Sequence, residues 1–329
     1  MTQFTKPAID VPQQLELLKA RGLQINDEKR AARFLEVVSF FRLTPYMRPF
    51  QVPGNEHHFV EGAGFRDLSN LYAFDRRLRL LVMDAVERVE VAARAMISNL
   101  MGPKYGSHWY LDRSLFKTGY NHEQLLQTIR SKQQSERRDY ERECRRIDKL
   151  AQTTEERKAA LKVKRSKESY ARHYGLTYCE PQLMPGWAAL EELTMGSLSH
   201  LYAGLAKDAD KKAVAKRMDL PWRLLQSWLH TLTIVRNICA HHARLWNREL
   251  GIKPELPRKT SFAWPESLTR PSHHVRIYVV LCMLNHLMRT VSPDTSWHQR
   301  LKSLFEEFPF VSESVMGFPV DWRDDVFWR

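Results

Sequence analysis

Apolar residues recur at three- and four-residue spacing along most of the chain, and no segment keeps a two-residue alternation. This pattern predicts helices over residues 11–22 and 27–43, followed by a long helix over 67–100 that Gly102 and Pro103 should end. Glycine is scarce, at 13 of 329 residues. We therefore expect an all-α fold, a helical bundle with a basic helical arm and additional C-terminal helices.

Proline clusters and shifts in charge divide the chain into four segments. Residues 1–129 should form the N-terminal helices of the bundle, 130–180 a basic helical arm or insertion, 181–250 the helices that carry the candidate chemistry, and 251–329 a C-terminal extension with the final helices. The most apolar stretch, 275–291, contains two arginines. It predicts a core helix rather than a membrane span.

The chain is strongly basic, which points to a polyanionic partner. It has 51 Lys and Arg against 38 Asp and Glu, a net charge of +13, and RNA is the partner that this charge favours. Its four cysteines are widely spaced, and the first residues lack a secretory signal pattern. We expect a soluble, cytoplasmic protein with no membrane association.

Part of this charge lies in residues 130–172, with 15 Lys or Arg and 8 Asp or Glu, hence 15 − 8 = +7. Such a segment has two interpretations, a solvated helix with i to i+4 ion pairs or an RNA contact surface, and the sequence favours neither. The candidate RNA-binding residues here are Arg137, Arg138, Arg142, Arg145, Arg146, Lys162, Lys164, Arg165 and Lys167.

A helix from Trp222 to about Arg248, opened by Pro221, carries the most informative pattern. Its 100° projection separates an apolar face, to which we assign His242 as a packing residue, from a polar face. The polar face comprises His230, Asn237, His241, Arg244 and Arg248, with Arg236 on its shoulder. No Asp or Glu occurs between the two ends of the helix, so an anionic partner is expected at the polar face.

Arg236, Asn237 and His241 are candidates for metal-independent RNA cleavage. A histidine can take the proton of a ribose 2′-hydroxyl or supply one to the departing 5′-oxygen, and an arginine can stabilise charge on the phosphoryl oxygens. Asn237 would orient the histidine ring or a phosphate oxygen. The expected product is a 2′,3′-cyclic phosphate. No metal-binding or cofactor-binding motif is evident, so we predict neither a metal nor a cofactor.

The segment RNICAHHARLWNR, from Arg236 to Arg248, resembles the signature of the Abi-like (abortive infection, AbiD/AbiF) family of the HEPN superfamily, whose motif is Arg, four to six residues, then His. Two further blocks agree, LYAFDRRLRLLVMDAVERVEVAARA from Leu71 and PGWAALEELTMGSLSHLYAGL from Pro185. The resemblance covers roughly residues 8–250. It implies a HEPN-like helical bundle and an antiphage toxin that cleaves RNA and is restrained until infection.

The resemblance also implies partners. Some members of the family work with a structured noncoding RNA, and HEPN nucleases generally build one site from two motifs. Because this chain contains one motif, we expect a homodimer to supply the second. Two other classes stay open on sequence alone: a non-catalytic RNA-binding protein that uses the same basic face, and a purely structural helical protein.

Overall fold

The fold is taken from a computed structural model that describes residue 3 and residues 7–54, 57–257, 262–269 and 275–329. Within these ranges the chain forms thirteen α-helices and three isolated β-bridges, without a sheet. The predicted all-α fold is confirmed. The helices are α1 Val11–Ala20, α2 Glu28–Val38, α3 Phe40–Met47, α4 Phe65–Tyr105, α5 His122–Asp148, α6 Glu155–Ser166, α7 Tyr170–Thr177, α8 Gly186–Glu191, α9 Met195–Gly204, α10 Asp208–Lys216, α11 Trp222–Ala240, α12 Ile277–Val291 and α13 Trp297–Glu307.

The central element is α4, whose 41 residues make it the longest helix described. Its first turn is capped by Asp67, whose carboxylate accepts a hydrogen bond from the Gly64 N–H at 3.0 Å. The prediction that Gly102 and Pro103 end this helix was wrong, since it continues to Tyr105 and ends at Gly106, which has φ +94°. Proline removes one hydrogen bond in the last turn, and the burial of Met101 in the core holds that turn in place.

The main hydrophobic core surrounds α4, which packs against α8, α10, α11, α12 and α13. Every residue of α12 from Ile277 to Met288 is buried, so the apolar stretch forms the predicted core helix. No helix within the described ranges is long and apolar enough to cross a membrane.

A second hydrophobic core joins α1, α2 and α3 to the start of α4. The predicted single helix over 27–43 is in fact two helices. Ser39 has φ +71°, a backbone angle that is not helical, and it separates α2 from α3. The Ser39 hydroxyl then accepts the Arg42 N–H at 3.4 Å and caps α3, which continues through Pro45. This break turns α3 toward the end of α11, where Arg42 makes the contact described below.

The basic arm consists of α5, α6 and α7, which pack on one another. The first half of α5 is anchored in the main core by Leu125 and Ile129. Near the other end, Arg172 is buried and forms ion pairs with Glu136, Glu143 and Glu168. The predicted helical arm is therefore present, and a buried ionic cluster ties α7 to α5.

Candidate functional site

The candidate site lies at the C-terminal end of α11. The helix begins after Pro221 and buries an apolar stripe that ends with Val235 and Cys239. Burial raises the pKa of the Cys239 thiol to about 12, so this inner side remains uncharged. Arg236 is half-buried at the edge of the stripe, and Asn237 is exposed beside it.

The helix ends at Ala240, so the predicted extension to Arg248 was wrong. His242 has φ +55°, its N–H donates to the Cys239 carbonyl at 2.9 Å, and the Ala243 N–H donates to the Ile238 carbonyl at 3.0 Å. These two bonds around a left-handed residue form a Schellman motif, which stops a helix and turns the chain. The helical projection therefore does not apply to the residues that follow His241.

The helix end exposes both histidines of the motif. His241 is the C-cap residue and donates its backbone N–H to the Asn237 carbonyl at 3.0 Å. The His242 side chain is exposed as well, so its assignment to packing was wrong. The reason is the left-handed backbone at His242, which takes the residue off the helical face on which the projection placed it.

Arg236 and Asn237 contact each other. One guanidinium nitrogen of Arg236 donates to the Asn237 side-chain carbonyl at 3.1 Å. Asn237 therefore orients the arginine here, whereas the sequence suggested that it would orient the histidine ring or a phosphate. At a rise of 1.5 Å and a turn of 100° per residue, Arg236 lies about 7–8 Å from His241 along the helix axis and about 140° from it around that axis.

The segment after the motif is held by Asp75, a fully buried residue of α4. Its carboxylate accepts hydrogen bonds from the Trp246 N–H at 2.7 Å, the Leu245 N–H at 3.2 Å and the Tyr46 hydroxyl at 2.5 Å, and it forms an ion pair with Arg79. Burial raises the pKa of the Asp75 carboxyl, and these four donors oppose that shift. Asp75 thus anchors the turn that carries the histidines.

Cations gather around this turn from separate parts of the sequence. The Arg42 guanidinium of α3 donates to the His242 carbonyl at 2.8 Å. Arg244 is half-buried. The pKa of its guanidinium is lowered by burial above all and then by the positive charge of Arg48. Arg248 also lies close enough to contribute to that shift. Arg244 and Arg248 therefore lie on the chain after the turn rather than on a helix face, and their role in RNA binding stays a prediction.

His230, the remaining candidate on α11, lies farther away. It is exposed about two turns before Asn237, and its ring lies 6.4 Å from the ring of His200 on α9, centroid to centroid. It lies on the same side of α11 as Asn237. Within the part of the chain that the structure describes, it makes no contact with the motif.

The candidate cations of the basic arm divide into two groups. Ion pairs join Arg137 to Glu141, Arg142 to Asp139, Lys162 to Asp148, and Arg165 to both Glu143 and Glu168. Among the described residues, no ion pair engages Arg138, Arg145, Arg146, Lys164 or Lys167, all of which are exposed. The interpretation as a helix with ion pairs is therefore met by the first group, and RNA contact stays a prediction for the second.

Two members of the unpaired group, Arg138 and Arg145, line up on α5 with Lys149, the exposed C-cap residue of that helix. The three are spaced by seven and four residues, which places them within about 40° of one another around the helix axis. We call these three residues the α5 stripe. Lys149 was not singled out from the sequence, although its spacing from Arg138 and Arg145 could have shown it.

Sequence reasoning missed four residues of the site itself: Arg42, Arg48, Asp75 and Arg79. The first two lie about 200 residues before the motif, and only the packing of α3 against α4 brings them close. Asp75 and Arg79 carried a detectable signal, a charged i to i+4 pair within an apolar stripe.

No group of three or more His, Cys, Asp or Glu side chains that could hold a metal ion occurs in the described part of the chain. Besides His241 and His242, the sequence has two pairs of adjacent histidines: His57 and His58 are exposed, and the pair at 273–274 lies outside the described residues.

The structure thus defines an all-α protein with an Arg and His motif at the C-terminal end of α11 and a basic helical arm. The family model described as Abi-like protein matches residues 33–247, more than half of the chain. The chain therefore belongs to the Abi-like family, and this membership supports a role in abortive-infection defence. The match includes α3, α4, the basic arm and α11. No curated protein and no solved structure matches the chain.

Proposed function

We propose that this protein is a HEPN-type, metal-independent endoribonuclease that acts as a toxin in abortive-infection defence. The observation that carries the proposal is the end of α11, where Arg236 lies on the last turns of the helix, His241 is its exposed C-cap residue, and the chain that follows is anchored by buried Asp75. An anchored turn limits the motion of the reacting groups, which is a requirement for positioning a nucleophile in line with its leaving group.

In this mechanism His241 accepts the proton of the ribose 2′-hydroxyl as that oxygen attacks the adjacent phosphorus. The bond to the 5′-oxygen breaks, and the leaving oxygen receives a proton. Arg236, oriented by Asn237, stabilises the negative charge on the phosphoryl oxygens during the attack. The products are a 2′,3′-cyclic phosphate and a 5′-hydroxyl.

The cleavage requires one group to remove a proton and another to donate one. In the proposed mechanism His241 performs one of these two functions, so we propose a homodimer in which His241 of the partner subunit supplies the second. A two-fold axis would bring the same exposed surface of both copies together.

The toxin must be restrained until infection, and we propose that a noncoding RNA takes part in that restraint. The support comes from the basic arm, where the α5 stripe presents three exposed cations without ion pairs among the described residues. We propose that the protein acts in the cytoplasm, where it would meet both the restraining RNA and the substrate RNA.

The test uses purified wild-type protein and the Arg236→Ala/His241→Ala double variant, incubated with total RNA and with single-stranded oligoribonucleotides in excess EDTA. We expect the wild type alone to cleave, leaving cyclic phosphate ends that mass spectrometry identifies. Arg217→Ala serves as the matched control, because Arg217 is an exposed arginine after α10 without an ion pair among the described residues. It should cleave at the wild-type rate.

A non-catalytic RNA-binding protein is the second candidate, and the α5 stripe favours it independently of the motif. The two candidates differ in the behaviour of His241→Ala. For a nuclease, this variant loses cleavage and keeps its affinity for RNA. For a binding protein, no wild-type cleavage exists to be lost, and the substitution lowers affinity instead.

A further inference from the structure

We propose that Phe41, Arg42, Arg48 and Arg244 form a binding site for single-stranded RNA beside the Arg236 and His241 motif. Phe41 stacks on an unpaired base and the arginines hold the flanking phosphates. We call these four residues the α3 patch. The inference rests on the proposed function in that it identifies where the substrate strand enters, but binding at this patch can be measured without cleavage.

Phe41 is 88% exposed, although the rest of α3 is anchored. Leu43, Tyr46 and Met47 are buried and fix the orientation of the helix. Phe41 therefore points away from both hydrophobic cores on a helix that cannot easily rotate. A large aromatic ring held in water on a fixed helix is suited to stacking on a base, because every base offers a π face.

Arg42 connects this ring to the motif. Its guanidinium donates to the carbonyl of His242, the residue after His241, at 2.8 Å. A guanidinium has five N–H groups, so those not used in this bond can donate to a phosphate. Phe41 is the residue before Arg42 on α3, so we place the stacked base and a phosphate bound at Arg42 on the same RNA strand.

Arg48 and Arg244 extend the positive surface. Arg48 follows Phe41 by seven residues, which places both on one side of α3 and the turn that continues it. Its charge is one of the causes that lower the pKa of Arg244, so the two guanidinium groups lie close together. Neither forms an ion pair with any acid in the described ranges. Two like charges near each other that form no ion pair favour binding of an anion.

An unpaired aromatic ring and a row of cations are the two components by which proteins bind single-stranded nucleic acid. A duplex would leave Phe41 without a base to stack on. A second copy of the protein is the competing occupant, but pairing of the α3 patch with itself across a two-fold axis would bring three positive side chains against three more, so we place the patch outside the proposed dimer interface.

The experiment measures the affinity of a short, fluorescently labelled 2′-O-methyl oligoribonucleotide by anisotropy. The methyl group removes the attacking hydroxyl, so binding is observed without cleavage. Phe41→Ala should weaken binding by about 5- to 100-fold, and Phe41→Trp should retain wild-type affinity. An oligomer of the same backbone with abasic positions should bind wild type and Phe41→Ala equally, because it offers no base to stack.

Val320→Ala is the matched control, as Val320 is a fully exposed apolar residue in the C-terminal segment, and it should leave affinity unchanged. Equal affinity of wild type and Phe41→Ala for the base-containing oligomer would overturn the proposal. It would also be overturned if Phe41→Ala lowered self-association in sedimentation velocity and weakened both oligomers alike, since Phe41 would then belong to a dimer interface. A protein that binds as expected but never cleaves would contradict the proposed nuclease and leave this site standing.

Discussion

The Asp75 carboxylate accepts a hydrogen bond from the backbone N–H of Trp246 at 2.7 Å, which links the middle of α4 to the segment after the motif. Arg79 pairs with the same carboxylate and also reaches the carbonyl of Ala243 at 3.5 Å. A charge pair inside the core therefore fixes the path of the chain on the C-terminal side of His241 and His242. The arrangement makes the geometry of the site dependent on one acid.

Replacing that acid should destabilise the protein. Asp75→Asn leaves Arg79 buried without a counter-charge, and we expect a loss of about 3–5 kcal/mol in the free energy of unfolding, measured by urea denaturation. Asp84→Asn is the control, since Asp84 pairs with Arg88 and Arg300 on a more exposed part of the same helix and should cost about 0–1 kcal/mol. Equal losses in the two variants would show that the buried pair is not the anchor.

The two neighbouring histidines should differ in function. Both are exposed and both follow Arg236 at a spacing that the family motif allows, and His241 is the one to which we assign the proton transfer. We expect His241→Asn to abolish RNA cleavage, whereas His242→Asn should keep most of it, because asparagine tolerates the left-handed backbone at that position. Cleavage rates of the two variants at equal protein concentration provide the measurement. If only His242→Asn lost activity, the general base would be His242 and not His241.

The arm should contribute to RNA affinity through its unpaired cations. Replacing the α5 stripe with alanines removes three charges and should reduce the slope of log K against log salt by about 2, given roughly 0.7 per phosphate contact with single strands. The matched triple variant replaces Arg137, Lys162 and Arg165, which already have carboxylate partners. Its slope should change less. A larger change in slope for the variant of Arg137, Lys162 and Arg165 would indicate that RNA contacts those residues instead of the α5 stripe.

Acid should destabilise the fold through His286. Burial lowers the pKa of this imidazole, whose ring lies 3.9 Å from that of Phe262, centroid to centroid. Because its pKa is lower in the folded than in the unfolded chain, its contribution is fully present above the unfolded value of about 6.5 and is lost as pH falls through the depressed folded value. The unfolded state binds the additional proton.

The corresponding measurement compares the free energy of unfolding of wild type and His286→Gln between neutral pH and about pH 5. Glutamine keeps a donor for the Asp219 carbonyl, which His286 contacts at 3.3 Å, and it does not titrate. The wild type should lose more stability on acidification than the variant. Parallel pH profiles would show that other groups cause the acid sensitivity.

Local patterns in the sequence were sufficient for the helices and the motif. The apolar stripe of α4 predicted a long buried helix, and α12 was recognisable because an apolar run with two arginines cannot cross a membrane easily. The errors occurred at helix ends. Pro103 did not stop α4, and a left-handed residue stopped α11 eight residues early, since such ends are decided by packing and by single backbone angles.

The sequence by itself determined the helical class and the order of the main helices, and it singled out Arg236, Asn237 and His241 as candidates. Hydrophobic spacing and residue spacing are local properties, and helices respond to them directly. Only the tertiary structure decided which other residues surround the motif. Arg42 and Asp75 lie far from it along the chain and reach it because α3 and α11 both pack on α4. Burial makes those contacts favourable, and burial depends on the whole fold.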